Sequence, residues 1–241
     1  MSAKQLRVLQ VVPSLSRAAG VSRFVYNMER YHDEKRVHYD FMHHAIRDGV
    51  YMHKKRYDEE LKARGCSVYP VNYAGDNLRR FMSEVHEAFE KVGFNYDIVH
   101  CHMPNSAFCV LREAELVGIE HRVLHSHLNS SSDKFLHRLR NAPLNAIGKH
   151  YATDCIACSD DAGRFLFGSR PFTVINNGIP LEQFAYDSES RKLLRSELGI
   201  KETDPVVGCV GRLVKQKNYP FAVHVFAKFH EAFPDAKMLI L

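Results

Sequence analysis

Short apolar runs rich in β-branched residues alternate with longer segments of helical period, and this alternation constrains the fold more than any other feature of the sequence. The runs lie at residues 6–12 (LRVLQVV), 38–45 (HYDFMHHA), 67–71 (SVYPV), 97–102 (DIVHCH), 122–127 (RVLHSH), 154–159 (DCIACS) and 172–176 (FTVIN). Between them the spacing of apolar positions predicts helices over 21–31, 53–64, 78–92, 106–117, 133–151 and 161–167. A helix inserted between successive strands carries the chain back, so that each new strand lies parallel to the last. The expected fold is therefore α/β, a doubly wound Rossmann-like sheet whose ligands sit at the C-terminal strand edge.

Beyond residue 176 the pattern changes. The segment NGIPLEQFAYDSESRKLLRSELGIKETDP is polar and turn-rich, with one amphipathic helix predicted at 191–198. A new strand, VVGCVG at 206–211, then opens a strand-helix-strand unit with a helix over 219–233 and a strand over 237–241. One such unit cannot bury both faces of its sheet. The expected organisation is a first domain over 1–180, a linker over 181–204 and the start of a second, incomplete domain over 205–241. Ending on MLIL, inside a buried-looking strand, the chain reads as a piece of a larger protein.

Composition narrows the class. Of 241 residues, 45% are apolar and 25% charged, which excludes a disordered or fibrous chain. Lys and Arg number 33 against 28 Asp and Glu, and the net charge of +5 favours anionic partners such as nucleotide phosphates or acidic lipid, while falling short of a nucleic-acid footprint. No apolar run approaches the ~20 residues that span a bilayer, and MSAKQLRVLQVV lacks the features of a signal peptide, so a cytoplasmic location is expected. The six cysteines show no paired metal spacing and read as reduced and mostly buried.

Three places carry candidate chemistry. The first is the loop PSLSRAAGV after the first strand, where Gly20 precedes a helix whose free N–H groups could receive a phosphate or a sugar hydroxyl. With one glycine the loop fits neither GxGxxG nor a P-loop, and on its own it reads as a βα turn with Gly20 at a tight bend. The second is a double pair of histidines. His100 and His102 flank Cys101, and His125 and His127 flank Ser126, so each pair points to one face of its strand at the C-terminal end. One imidazole could hydrogen-bond a sugar; several could hold a transition metal. His100 and His125 sit deeper and read as structural, whereas His127, followed by the polar LNSSSD, reads as functional. The third is GRLVKQKNYP, where Arg212 and Lys217 precede a helix N-terminus and could clamp a diphosphate, a solvated basic loop being the plainer reading.

Taken together, AAGVSRFVYNMERY (18–31), YDIVHCHMP (96–104), RVLHSHLNSS (122–131), ACSDDAGRFLFG (157–168), VINNGIPLEQF (174–184), GRLVKQKN (211–218) and FPDAKMLIL (233–241) resemble the retaining glycosyltransferases of family 4, in particular the bacterial capsule and exopolysaccharide enzymes. The resemblance implies the GT-B architecture, two facing Rossmann-like domains, with the acceptor bound mainly by the first and the nucleotide-sugar by the second. It places Arg212 and Lys217 at the family's diphosphate clamp, with Asn218 beside them on the donor. His127 falls where the family has a histidine near the transferred sugar, and Gly20 where a loop amide approaches donor phosphate or acceptor. Ala19 stands where the family usually has its first glycine and Ser22 where it has an acid. The family's paired glutamates, seven residues apart, belong beyond residue 241.

The function so implied is transfer of a hexosyl or N-acetylhexosaminyl group from a nucleotide-diphosphate donor, expected to be uridine-linked, to a lipid-linked or growing saccharide, with retention. No metal or other cofactor is expected, since Arg212 and Lys217 neutralise the leaving diphosphate. An anionic membrane surface is a further expected partner through DKFLHRLRNAPLNAIGKHY, where Lys134, Arg138, Arg140 and Lys149 join an apolar stripe interrupted near Pro143. Two other readings stay open: a metal-dependent hydrolase built on His102, His125 and His127, and a non-catalytic docking fragment.

Overall fold

The computed structural model describes residues 4–47, 49–92, 95–129, 135–211 and 213–241, and the chain divides into two units, Met1–Pro180 and Leu181–Leu241. Strands β1 (Leu6–Val12), β2 (Val37–Arg47), β4 (Val68–Asn72), β5 (Ile98–Cys101), β6 (His121–Ser126), β7 (Asp154–Ala157) and β8 (Thr173–Val174) build the parallel sheet of the first unit. They run in the order β4-β2-β1-β5-β6-β7-β8, and the two-residue β3 (Val50–Tyr51) adds an antiparallel turn to the end of β2. The chain reverses direction across the sheet between β1 and β5, which opens a crevice at their C-terminal ends.

Apolar side chains on both faces of the strands account for their near-continuous hydrophobic runs. One core layer, with Leu9, Val11, Met42, Val99 and Leu124, packs under α3 (Leu78–Val92) and α4 (Ala107–Leu116) through Phe81, Val85, Phe89 and Leu111. On the other face Val12, Leu15 and Phe41 meet Phe24 and Val25 of α1 (Gly20–Tyr31) and Leu61 of α2 (Asp58–Ala63). All six cysteines are free thiols, four of them buried.

Helix α2 is shorter than the predicted 53–64, and the reason is local. The backbone of residues 55–57 is committed to the first loop: Arg17 N–H donates to the Lys55 carbonyl at 3.1 Å, Tyr57 N–H to Leu15 at 2.9 Å, and Ser16 bridges Arg56. Groups paired in this way cannot close a helical turn, and the loop that leads into α1 is pinned as a result.

Helix α5 (Phe135–Tyr151) runs through Pro143 without a break, whereas the sequence suggested an interruption there. Its Gly148 lets it lie close against α4: a Cβ at that position would stand 2.7 Å from the Ala107 Cβ and 3.1 Å from the Phe108 backbone nitrogen. Helix propensity alone would make Gly148→Ala stabilising by ~1 kcal/mol. The packing clash outweighs that gain, so Gly148→Ala should destabilise by ~1–3 kcal/mol, read as a lower urea midpoint. An unchanged or higher midpoint would show that α4 and α5 can separate freely.

Helix α6 (Asp160–Phe167) is started by Ser159, whose hydroxyl accepts from Ala162 N–H at 3.2 Å, and is followed by Gly168 with φ of 63°.

In the second unit α7 (Ser188–Glu197) is capped by Asp187, which accepts from the N–H groups of Glu189 and Ser190. The segment 181–204 thus carries an ordered helix, longer than the predicted 191–198 and preceded by a 3₁₀ turn at Leu181–Phe184. Strands β9 (Val206–Cys209) and β10 (Lys237–Ile240) pair in parallel, joined through α8 (Tyr219–Ala232), which is the strand-helix-strand unit expected from the sequence. Among the described residues no helix is long and apolar enough to cross a membrane.

Candidate functional site

The centre of the first sheet carries a group of buried polar side chains, Gln10, His100, His102 and His125. Gln10 of β1 is in register with His100 of β5, which is in register with Val123 of β6. Side chains in register on parallel strands share a face, and alternation brings His102, His125 and His127 onto that same face. The two histidine pairs, separate in the sequence, therefore form one tier.

The rings are packed face to face. His100 and His125 lie 5.2 Å apart at 4° between planes, and His125 and His127 lie 4.0 Å apart at 25°. Phe24 of α1 closes the tier edge-on, 5.4 Å from His125 and 5.5 Å from His127. Hydrogen bonds join the rings in two pairs, His100 Nε2 with His125 Nδ1 at 3.0 Å and His102 Nδ1 with His127 Nε2 at 2.7 Å. His102 Nε2 lies 2.7 Å from Gln10 Oε1. A carbonyl oxygen only accepts, so His102 carries its proton on Nε2, and its bare Nδ1 takes a hydrogen bond from His127 Nε2–H. Neutral His127 is thereby left with a lone pair on Nδ1.

The histidines are held neutral. Burial lowers His127 to about 4, and burial with repulsion from its neighbours lowers His100 to about 3 and His125 to about 2. His102 is also held well below the ordinary histidine value, first by burial and then by the other three rings. At neutral pH the tier offers hydrogen-bond donors and lone pairs rather than positive charge. His127, partly exposed just past the end of β6, is the member that a ligand can reach. The imidazole nitrogens of His100, His102 and His125 could also hold a metal ion.

The loop into α1 is fixed by its serines. Ser22 donates to the Ser14 carbonyl at 2.6 Å and is fully buried, so the residue standing where an acid is usual in the resembled family serves as an internal tie. Gly20 does not make the tight bend expected of it. Ala19 is extended and Gly20 begins the helix, with φ outside the left-handed region. A Cβ there would meet nothing within 4 Å, and no side chain caps the helix. The N-terminus of α1 is therefore open at a point where backbone N–H groups are exposed.

In the second unit β9 leads into a loop that needs glycine. Gly211 has φ of 153°, and a Cβ on it would lie 3.4 Å from Lys217 Cε and 3.2 Å from the Tyr219 hydroxyl. Tyr219 donates to the Gly211 carbonyl at 2.8 Å, which folds the loop over so that the Lys217 stem lies along it. Lys217 ends a 3₁₀ turn, and Asn218 follows in the left-handed conformation with its carbonyl accepting from Phe221 and Ala222 at the start of α8. Arg212 lies outside the described residues, as does Lys134 of the basic stretch.

Two participants were missed from the sequence, Gln10 and Phe24. Gln10 had a usable signal, being the polar residue in the buried run LRVLQVV. A small cavity of about 80 Å³ at the outer edge of the sheet, beside Arg47, Asn72 and Asp76, is not part of this tier; there Arg47 binds Asp76 through two hydrogen bonds.

Comparison with known proteins finds relatives of this chain. The family model described as Glycosyltransferase Family 4 matches residues 18–183. EpsF of Bacillus subtilis (strain 168), provisionally named a glycosyltransferase, is 30% identical over 239 residues, which is 96% of this chain and 60% of EpsF. Alpha-monoglucosyldiacylglycerol synthase of Acholeplasma laidlawii is 33% identical over 73 residues, 29% of this chain and 18% of the synthase. Among solved structures, Anabaena HepE in complex with UDP and glucose superposes with a TM-score of 0.72 at 17% identity, covering 98% of this chain and 60% of HepE. At that identity the likeness is one of fold. The chain thus spans about 60% of the length of EpsF and of HepE.

Proposed function

The chain belongs to glycosyltransferase family 4, and on that premise we propose that the protein transfers a hexosyl or N-acetylhexosaminyl group from a uridine diphosphate donor to a lipid-linked or growing saccharide acceptor, with retention, in polysaccharide synthesis. The observation that carries this reading is His127: neutral, locked by His102 and Gln10 into one tautomer, and presenting a lone pair at the C-terminal edge of the sheet. A neutral imidazole held in this way accepts a hydrogen bond from a sugar hydroxyl without repelling the electron-poor anomeric centre.

Lys217 and Arg212 supply the charge that the departing diphosphate needs, so the transfer requires no divalent metal. The acceptor hydroxyl attacks from the face the diphosphate leaves. Gly20, at the open start of α1, gives backbone N–H groups room to meet donor phosphate or acceptor. A UDP-hexose donor draws on the UDP and glucose held by HepE, and a lipid acceptor on the name of the Acholeplasma synthase. The setting is the cytoplasmic face of the membrane, with Arg140 and Lys149 of α5 among the cations available to anionic lipid.

The test is UDP release from a panel of UDP-hexoses by the full-length protein, with and without EDTA. Release should occur with at least one donor and survive the chelator. His127→Ala should lower turnover about tenfold or more, the worth of a hydrogen bond of ~1.5 kcal/mol formed in the transition state, while leaving the melting temperature nearly unchanged. His125→Ala, at a fully buried position against Phe24, should mainly lower the melting temperature. Activity lost to EDTA, or a fully active His127→Ala, would overturn the reading.

A further inference from the structure

We propose that His100, His102 and His125 form a binding site for a divalent transition-metal ion of the zinc class, one that sugar transfer does not need and whose occupation takes the His102 lone pair otherwise given to His127. One ring nitrogen from each residue lies within 4.8 Å of the other two, and all three residues are buried. A tetrahedral zinc ion with bonds of ~2.0–2.1 Å to nitrogen spaces its ligands ~3.4 Å apart. The nitrogens lie within 4.8 Å of one another, so shifts of at most about 1.4 Å bring them to that spacing.

Two further observations favour an ion over a merely packed cluster. His125 Nε2 is buried with no hydrogen-bond partner, and the same is true of Gln10 Nε2 in the tier beneath His102. An orphaned lone pair or N–H in such a place is costly, and ligation would occupy the one on His125. The donors are all imidazole, with no thiolate or carboxylate ligand in the group, a set that suits zinc, copper or nickel rather than magnesium or calcium. The backbone is rigid as well, since both His-x-His segments belong to adjacent strands of one sheet.

The experiment titrates the metal-free 241-residue chain with zinc chloride against a chromogenic chelator and follows the melting temperature in parallel. One ion per chain should bind, with a rise in melting temperature, and His100→Leu and His125→Leu should each weaken binding by at least ~100-fold. Because a leucine at His125 could disturb the core, X-ray absorption of the zinc-loaded wild-type chain provides an independent reading, with three imidazole nitrogens in the coordination sphere expected. Affinity unchanged in the His100→Leu variant, as surface histidines would give, overturns the proposal. So does a coordination sphere with fewer than three imidazoles, or no binding at all.

Discussion

Lys217→Ala in the full-length protein should lower turnover by ~10²- to 10³-fold, the loss that follows removal of one preorganised group facing charge that develops in a transition state. The expectation rests on how the loop holds this lysine. Gly211 has φ of 153°, which L side chains rarely adopt, Tyr219 ties its carbonyl at 2.8 Å, and the Lys217 stem lies beside it, so the backbone that carries Lys217 is fixed. Asn218, left-handed at φ of 49°, then turns the chain into α8, whose N-terminal N–H groups add to the positive field. Lys215, in the same 3₁₀ turn and also exposed, is the control. If net charge were all that mattered, Lys215→Ala would cost as much as Lys217→Ala; with a positioned clamp it should leave turnover within about twofold. Arg212→Ala should match Lys217→Ala, and the double change should cost less than the product of the two, because both act on one diphosphate. Initial rates of UDP release for the four variants decide the matter, and equal rates for Lys215→Ala and Lys217→Ala would remove the clamp.

Periodicity carried most of the fold. Runs such as LRVLQVV and RVLHSH are apolar enough for strands buried on both faces, and the intervening helical periods are long enough to force parallel pairing, so the sheet is legible in the sequence. The errors lie where tertiary pairing overrides local preference. Residues 53–57 have a helical pattern, yet their backbone groups are claimed by the first loop, 39 positions away for Arg17 and Arg56. Glycine type alone suggested a bend at Gly20, whereas the bend is made by extended Ala19 and serine ties, and the glycine is free of local strain.

The site was half legible for a related reason. That each histidine pair faces one way follows from alternation along a strand. That the two pairs face each other depends on the register between β5 and β6, which is set by the packing of α4 between them and has no mark in either motif. His100 and His125 read as structural because they sit deeper, yet the hydrogen bond between them places both in the same tier as His127. Once the register is known, Gln10 becomes the residue that fixes His102 and, through it, the tautomer of His127.

Below pH 6.5 the first unit should lose stability through His44, on the face of the sheet opposite this tier, and His44→Leu should remove that loss. His44 is buried against Phe81 and Tyr73, with ring centroids at 4.9 and 5.4 Å, and its Nε2 has no hydrogen-bond partner. Burial, with repulsion from His43, lowers it to about 4 from the ordinary 6.5. Between those values the unfolded chain takes up the proton and the folded chain does not, so the folded state weakens as pH falls from about 6.5 towards 4 and the loss levels off below. At ~1.4 kcal/mol per pH unit, a span of about 2.5 units amounts to about 3.5 kcal/mol. Leucine fills similar space, carries no proton and leaves no buried nitrogen unpaired, so the variant should match or exceed the wild type at pH 7. At pH 4.5 it should be the more stable by ~2–3 kcal/mol in urea unfolding. The buried histidines of the other tier act on both proteins alike and cancel in the difference. Stability curves that stay parallel from pH 7 to pH 4.5 would mean that His44 is solvated or paired in the folded protein, and its place between Phe81 and Tyr73 would then have to be redrawn.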